Sequence, residues 1–180
     1  MGLKEKYRKE VIKKMKQEFG YTNDLAVPRI LKVTLNIGIG RSKDDPKMAE
    51  AGERTLARIT GQRPVYTLSK KSISAFKVRE GMKVGLKVTL HGKKMWDFLE
   101  KLVNVSLPRV RDFRGLAYES IDRHGNFNIG FKEHMVFPEI KSDEVEKIHG
   151  LEVAITTSAE TQKEGYQLFK YLGFPLTDSK

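Results

Sequence analysis

Leu3, Tyr7, Val11, Met15 and Phe19 recur every fourth residue, with Lys and Glu between them and Gly20 behind them. Apolar residues at that spacing share one side of a helix, and a glycine past the last of them supplies the left-handed residue that ends it. The spacing predicts an amphipathic N-terminal helix. From Leu31 the period changes, as Leu31, Val33, Leu35 and Ile37 alternate with Lys32, Thr34 and Asn36. Side chains along a strand point to opposite faces in turn, so this is a half-buried strand. Asp45 followed by Pro46 reads as an N-cap and a first helical residue, and Ala49, Leu56 and Ile59 form the inward stripe of a second helix that stops at Gly61. A short strand is expected from Val65 to Ser69. A clearer one runs from Lys83 to His91, where Val84, Leu86, Val88 and Leu90 alternate with Lys83, Gly85, Lys87, Thr89 and His91.

Met95, Phe98, Leu99, Leu102 and Val103 face inward on a third helix from Lys93 to Ser106, which Pro108 ends. The remainder reads as a loop containing RVRDFRG, a hairpin through Asp122 to Asn126, a strand from Phe127 to Phe131, and an acidic stretch at Asp143 to Glu146. A strand through Leu151, Val153 and Ile155 follows, then a last helix from Thr161 to Leu172 stopped by Gly173. Between the second and third strands lies KKSISAFKVREGM, residues 70–82, a long basic loop or mobile hairpin. Strands that alternate this cleanly have one wet face. The expected fold is therefore a two-layer α+β domain over residues 1–180: a mainly antiparallel sheet with helices packed on one face and a polar, basic open face.

The chain has 180 residues, with 34 Lys and Arg against 23 Asp and Glu and no cysteine. Missing cysteine excludes a disulfide framework, a Cys-based zinc site and thiol catalysis, and fits a reducing compartment. No apolar run approaches the roughly 20 residues that cross a bilayer. The N-terminus MGLKEKYRKE carries charge where a secretory signal needs an apolar stretch. A cytoplasmic, soluble chain with no membrane partner is expected. The charge is unevenly placed: residues 1–101 carry 24 basic and 11 acidic side chains, while residues 121–180 carry 7 and 10. A polyanion partner belongs mainly on the first half.

Catalytic motifs fail. NIGIG offers Gly38 and Gly40, but a dinucleotide fingerprint needs a third glycine where Lys43 stands. His91, His124, His134 and His149 are dispersed, whereas metal sites want clustered ligands. The expectation is no enzyme, no cofactor and no metal.

An RNA-recognition motif would place aromatic residues on its open strands to stack unpaired bases. Here the outward positions are Lys32, Thr34 and Asn36 on the first strand and Lys83, Lys87, Thr89 and His91 on the third. These side chains can bridge phosphates, 2′-hydroxyls and minor-groove edges of a folded RNA. An ordinary solvated sheet face, which would mix both charge signs, is the other reading of the same row. Phe76, between Ala75 and Lys77, either stands out from its loop or tucks back onto the sheet.

The stretch LARITGQRPVYTLSKKSIS from Leu56 to Ser74, with VTLNIGIG before it and SAFKVREGMKVGLKVTLHG after it, resembles the bacterial-type large-subunit ribosomal protein five family, which binds 5S ribosomal RNA. The likeness continues through SLPRVRDFRGL, GNFNIGFKEHMVFPEI and GLEVAITTSA and covers nearly the whole chain. It implies a non-enzymatic part of the large ribosomal subunit, in contact with 5S ribosomal RNA, large-subunit ribosomal RNA, peptidyl-site transfer RNA and small-subunit protein thirteen. Matching positions put the 5S surface at Asn36, Gln62, Ser69 and Thr89. With the polar sheet face, the ribosomal RNA set becomes Lys32, Thr34, Asn36, Gln62, Ser69, Lys70, Lys87 and Thr89. The transfer-RNA loop corresponds to Ser72 to Glu80, with Ser74, Phe76, Lys77 and Arg79. Arg111 and Arg114 are the candidates facing the small subunit, although they could equally pair with Asp112 or Glu119. The acidic C-terminal part suits a basic protein partner. A free-standing regulatory binder of structured RNA is the alternative.

Overall fold

A computed structural model describes residues 2–40, 46–141, 145 and 148–177. The expected N-cap at Asp45 and most of the acidic stretch from Asp143 to Glu146 lie outside the described residues. Five strands, β1 (Ile30–Gly38), β2 (Val65–Leu68), β3 (Lys83–Leu90), β4 (Phe127–Phe131) and β5 (Leu151–Thr157), form an antiparallel open sheet in the order β2-β3-β1-β5-β4. Four helices accompany it: α1, which starts as Leu3–Lys6; α2 (Pro46–Thr60); α3 (Gly92–Lys101); and α4 (Gln162–Leu172). The two-layer α+β class expected from the alternation is the class observed. The chain divides into two compact units: Met1–Val33 with Leu90–Ile129 and Ala154–Lys180, and Thr34–Thr89 with Gly130–Val153.

In the first unit, α1 passes from Leu3–Lys6 into a π-turn at Tyr7–Val11 and continues as α-helix over Ile12–Phe19. The wide turn follows from the sequence. On an α-helix of 3.6 residues per turn, an apolar repeat of four drifts about 40° per step. A π-turn with its i→i+5 bond, here from Ile12 N–H to the Tyr7 carbonyl, is broader and takes up part of that drift. Leu3, Tyr7, Val11 and Met15 are all buried, while Phe19, past the π-turn, is only half-buried. Tyr7 donates its hydroxyl to the Pro28 carbonyl at 3.0 Å, and Lys6 Nζ donates to the Leu172 carbonyl at 3.1 Å. The centre of this core is an aromatic trio, Phe127, Phe169 and Phe174, with ring centroids 5.1–5.8 Å apart.

Thr161 and Glu164 make a reciprocal capping box at the start of α4, and Gly173 ends it in the left-handed conformation. The strand assigned from Leu31 is corrected at its entrance. Ile30 is buried, and Leu31 is 42% exposed beside exposed Lys32. Two successive residues face solvent there, so the strict alternation begins only at Val33.

The hairpin between Asp122 and Asn126 forms as expected. Asp122 Oδ1 accepts from the backbone N–H groups of His124 and Asn126, and Oδ2 accepts from Asn126 Nδ2, each at 2.9 Å. Burial alone would raise this carboxyl, but those donated bonds outweigh it and hold the group below the usual carboxylate range. A depressed carboxylate contributes stability above its unfolded pKa of about 4, and the contribution is lost as pH falls through the lower folded value. Urea unfolding midpoints taken between about pH 5 and pH 2 should therefore fall further for the wild-type chain than for Asp122→Asn. Equal falls would show that the charge adds nothing.

In the second unit, α2 lies on the inner face of β1 and β3. A side chain added at Gly52 would sit 2.9 Å from Leu86 Cδ1 and 3.7 Å from Ile37 Cγ2. Leu35, Ile37, Leu86 and Val88 are buried on that side together with Leu56 and Ile59 of α2. β2 pairs antiparallel with β3, Val65 with Lys87 and Thr67 with Gly85, and the register shifts between Thr67 and Leu68.

Candidate nucleic-acid interface

The face of the second unit that α2 leaves uncovered is built by alternation. Thr34 and Asn36 of β1 share a side. Gly85, Lys87 and Thr89 of β3 share the same side, because the point where a Gly85 Cβ would stand is 3.8 Å from Asn36 Oδ1. Pairing of Thr67 with Gly85 and of Val65 with Lys87 carries the face onto β2. Lys87 is exposed, Thr34, Asn36, Thr67 and Thr89 are half-buried, and no acidic side chain stands among them. Among the described residues, none of these four half-buried side chains has a hydrogen-bond partner for its polar group. A half-exposed donor or acceptor without a protein partner can be satisfied by water or by a ligand that takes its place. Lys32 is exposed on the part of β1 that belongs to the first unit.

Gln62 follows the C-terminus of α2, where Gly61 turns the chain at φ +61°. Its Nε2 donates to the Thr89 carbonyl at 3.3 Å, which moors the exposed side chain at the end of the polar row. Ser69 donates its hydroxyl to the Lys71 carbonyl at 2.8 Å, so it shapes the start of the loop and keeps only acceptor capacity for a partner. Lys70 is exposed.

Lys83 does not join the row to which alternation assigned it. The register shift at Thr67 and Leu68 turns it aside, and its Nζ stands 4.1 Å from the centroid of the Tyr66 ring. Tyr66 itself faces α2 and donates its hydroxyl to Glu53 Oε2 at 2.9 Å. Thr67 was not singled out by sequence reasoning. The signal that could have found it is its two-residue offset from Val65 and Ser69 in a segment read as a strand.

Residues 70–82 fold back on themselves. Ile73 and Val78 exchange backbone bonds at 2.8 and 3.1 Å, the Glu80 N–H reaches Ser72 Oγ at 3.0 Å, and the Gly81 N–H reaches the Ser69 carbonyl at 2.9 Å. Ser74 begins a short 3-10 turn, and Lys77 closes it in the left-handed region at φ +50°, a conformation uncommon outside glycine. The turn presents Phe76 at its tip, 71% exposed, which resolves the choice between standing out and tucking back in favour of standing out. Lys77 and Arg79 are exposed beside it. Beneath the tip lies an open groove of about 1020 Å³ whose lining includes Gly38, Gly40, Ile73, Phe76, Ile148 and His149. One wall is backed by His134 and His149, whose buried rings stack 3.8 Å apart at 13°. Burial depresses the His134 imidazole below its ordinary value, against weaker opposing effects from the His149 backbone and Glu133.

Arg111 and Arg114 are exposed in the first unit, on either side of Asp112, which is left-handed at φ +52°. Among the described residues neither arginine is ion-paired with Asp112 or Glu119. Their loop is pinned by the C-terminal segment, with Leu116 N–H on the Pro175 carbonyl at 2.8 Å and Thr177 N–H on the Leu116 carbonyl at 2.9 Å.

Among the described residues no group of three or more His, Asp or Glu is placed to hold a metal ion, and no helix is long and apolar enough to cross a membrane. The fold and its uncovered face define an α+β protein with a neutral-to-cationic hydrogen-bonding surface. Two family models match in tandem: ribosomal protein L5 over residues 23–79, and the C-terminus of the same ribosomal family over residues 83–176. The chain is 53% identical over 173 residues to the large ribosomal subunit protein uL5 of Halothermothrix orenii, covering 96% of this chain and 97% of that one. It is 51% identical over 176 residues to the protein of the same name from Roseiflexus sp., covering 98% of each. The chain belongs to the ribosomal protein L5 family, whose members are structural and non-enzymatic.

Proposed function

We propose that the chain is a structural constituent of the large subunit of the cytoplasmic ribosome, seated on 5S ribosomal RNA through the polar face of β1, β2 and β3. The observation that carries this reading is the row Thr34, Asn36, Lys87 and Thr89, which is cation-bearing, free of acid and has its neutral polar groups uncommitted, in a chain about half identical to large-subunit proteins. Lys87 and, in the other unit, Lys32 meet phosphates; Asn36, Gln62 and Thr89 fix register through neutral hydrogen bonds. Ser69 and Lys70 extend the surface toward the loop. The loop meets peptidyl-site transfer RNA through Ser74, Phe76, Lys77 and Arg79. Arg111 and Arg114 face a protein of the small-subunit head, small-subunit protein thirteen by the family resemblance.

Binding of the purified chain to 5S ribosomal RNA is expected to weaken steeply with salt, with a log–log slope of about −0.7 to −0.9 for each neutralised phosphate. Lys32→Ala or Lys87→Ala flattens the slope by up to about one unit, whereas Asn36→Ala and Thr89→Ala lower affinity at constant slope. Affinity independent of salt would contradict the electrostatic part. A free-standing regulatory binder predicts the opposite result on a sucrose gradient, where the chain would stay out of the large-subunit peak.

A further inference from the structure

Thr67 and Gly85 sit face to face across β2 and β3, and the contact between them is unusually close. A Cβ at Gly85 would stand 2.7 Å from Thr67 Oγ1, 3.1 Å from the Ile37 carbonyl oxygen and 3.8 Å from Asn36 Oδ1. Gly85 itself is buried, so the Thr67 side chain occupies the space that any other residue at position 85 would fill. The missing side chain lets the hydroxyl settle onto the sheet, and that hydroxyl and the Asn36 carboxamide oxygen both lie within 3.8 Å of the point where a Gly85 Cβ would stand. Both groups can donate and accept, both are neutral, and neither has a protein partner among the described residues. Lys87 follows Gly85 by two residues on the same face, about 7 Å along the strand.

A phosphate only accepts hydrogen bonds and is served by the lysine. The ribose 2′-hydroxyl is a small group that both accepts and donates, and it lies within one nucleotide of a phosphate. We infer that Thr67 and Asn36 hold a ribose 2′-hydroxyl of the bound RNA, with Gly85 as the positioning residue that seats Thr67. The inference rests on the proposal that this face binds ribosomal RNA. It makes the β2–β3 junction the element that distinguishes ribose from deoxyribose, which the phosphate contacts of Lys87 cannot do.

The test uses the full chain, a 5S ribosomal RNA transcript, and the same RNA carrying single 2′-deoxy substitutions across the protected region. Thr67→Val, which removes the hydroxyl and keeps the shape, should weaken binding about two- to tenfold at unchanged salt slope, the range of one hydrogen bond, and Thr67→Ser should restore most of it. At one nucleotide the 2′-deoxy substitution should weaken the wild-type chain by a similar factor and leave Thr67→Val unaffected. Gly85→Ala should copy Thr67→Val with the threonine chemically intact. If every deoxy position weakens the wild-type chain and Thr67→Val by equal factors, Thr67 holds no 2′-hydroxyl and the inference falls while RNA binding by the face stands. If the unmodified chain does not bind the transcript at all, the RNA reading falls and takes this inference with it.

Discussion

Replacing Gly165 by alanine is expected to destabilise the protein by about 3 kcal/mol, toward the upper end of overpacking costs. Gly165 lies in the first turn of α4, buried against the hairpin that contains Gly125. A Cβ there would run into Gly125 Cα and stand 2.6 Å from its carbonyl oxygen and 2.9 Å from its carbonyl carbon. All three obstacles are backbone, so no side-chain rotation relieves them. Gly125 cannot yield cheaply, since it is itself left-handed at φ +72° and hemmed in by Ala159 Cβ and the Thr161 carbonyl. Helix propensity argues the other way, because alanine in a helix is favoured over glycine by about 1 kcal/mol. The two effects differ in sign, which makes the experiment decisive. Thermal unfolding followed by circular dichroism should show a fall of roughly 6–12 °C for a chain of this length, and a rise would mean that α4 and the hairpin are not in contact as described.

Excising the loop should separate its work from that of the sheet. Replacing residues 73–81 by a short glycine-containing turn removes Phe76, Lys77 and Arg79 and leaves Asn36, Gln62, Thr67 and Thr89 in place. The backbone bond from Ser69 N–H to the Met82 carbonyl at 2.8 Å marks where the strands can be rejoined, and no residue from Lys70 to Gly81 is buried. Folding and affinity for 5S ribosomal RNA should stay within about twofold of wild type. Retention of peptidyl-site transfer RNA on ribosomes carrying the shortened chain should fall about tenfold or more, given that one aromatic–base contact contributes about 1–3 kcal/mol. Loss of 5S affinity with transfer RNA retention unchanged would assign the loop to the ribosomal RNA surface and overturn the division.

Period carried most of the fold into view. Strict alternation from Val33 to Ile37 and from Leu86 to Leu90 places every polar partner on one side, and that side is the uncovered face. Alternation failed at the two successive exposed residues Leu31 and Lys32 and at the register shift that draws Lys83 to Tyr66. The second is a departure from period two that pairing with a neighbouring strand imposes, and the first is a matter of what covers the entrance of β1. Thr67 was hidden for a related reason, since β2 has four residues and too few repeats to declare which face is which. The Gly125–Gly165 contact and the stacked His134 and His149 join residues 40 and 15 positions apart. Neither glycine nor histidine spacing encodes such meetings, which arise when a hairpin or loop lands on another element.

β2 has one further consequence, for copies of the chain that have not yet met their RNA. It closes one side of the sheet, and a closing strand offers unpaired backbone groups to any extended segment that arrives. Val65 and Leu68 add apolar surface there, 61% and 56% exposed. Self-association along this edge is restrained by the brevity of the strand, by Pro64, which brings no N–H, and by the register shift that twists the end away. Lys70 and Lys71 just beyond it and Arg63 just before it set like charges near any second copy that aligns along this edge. The cations beside the polar row therefore oppose edge-to-edge pairing of unbound copies, and neutralising them is expected to promote self-association along β2.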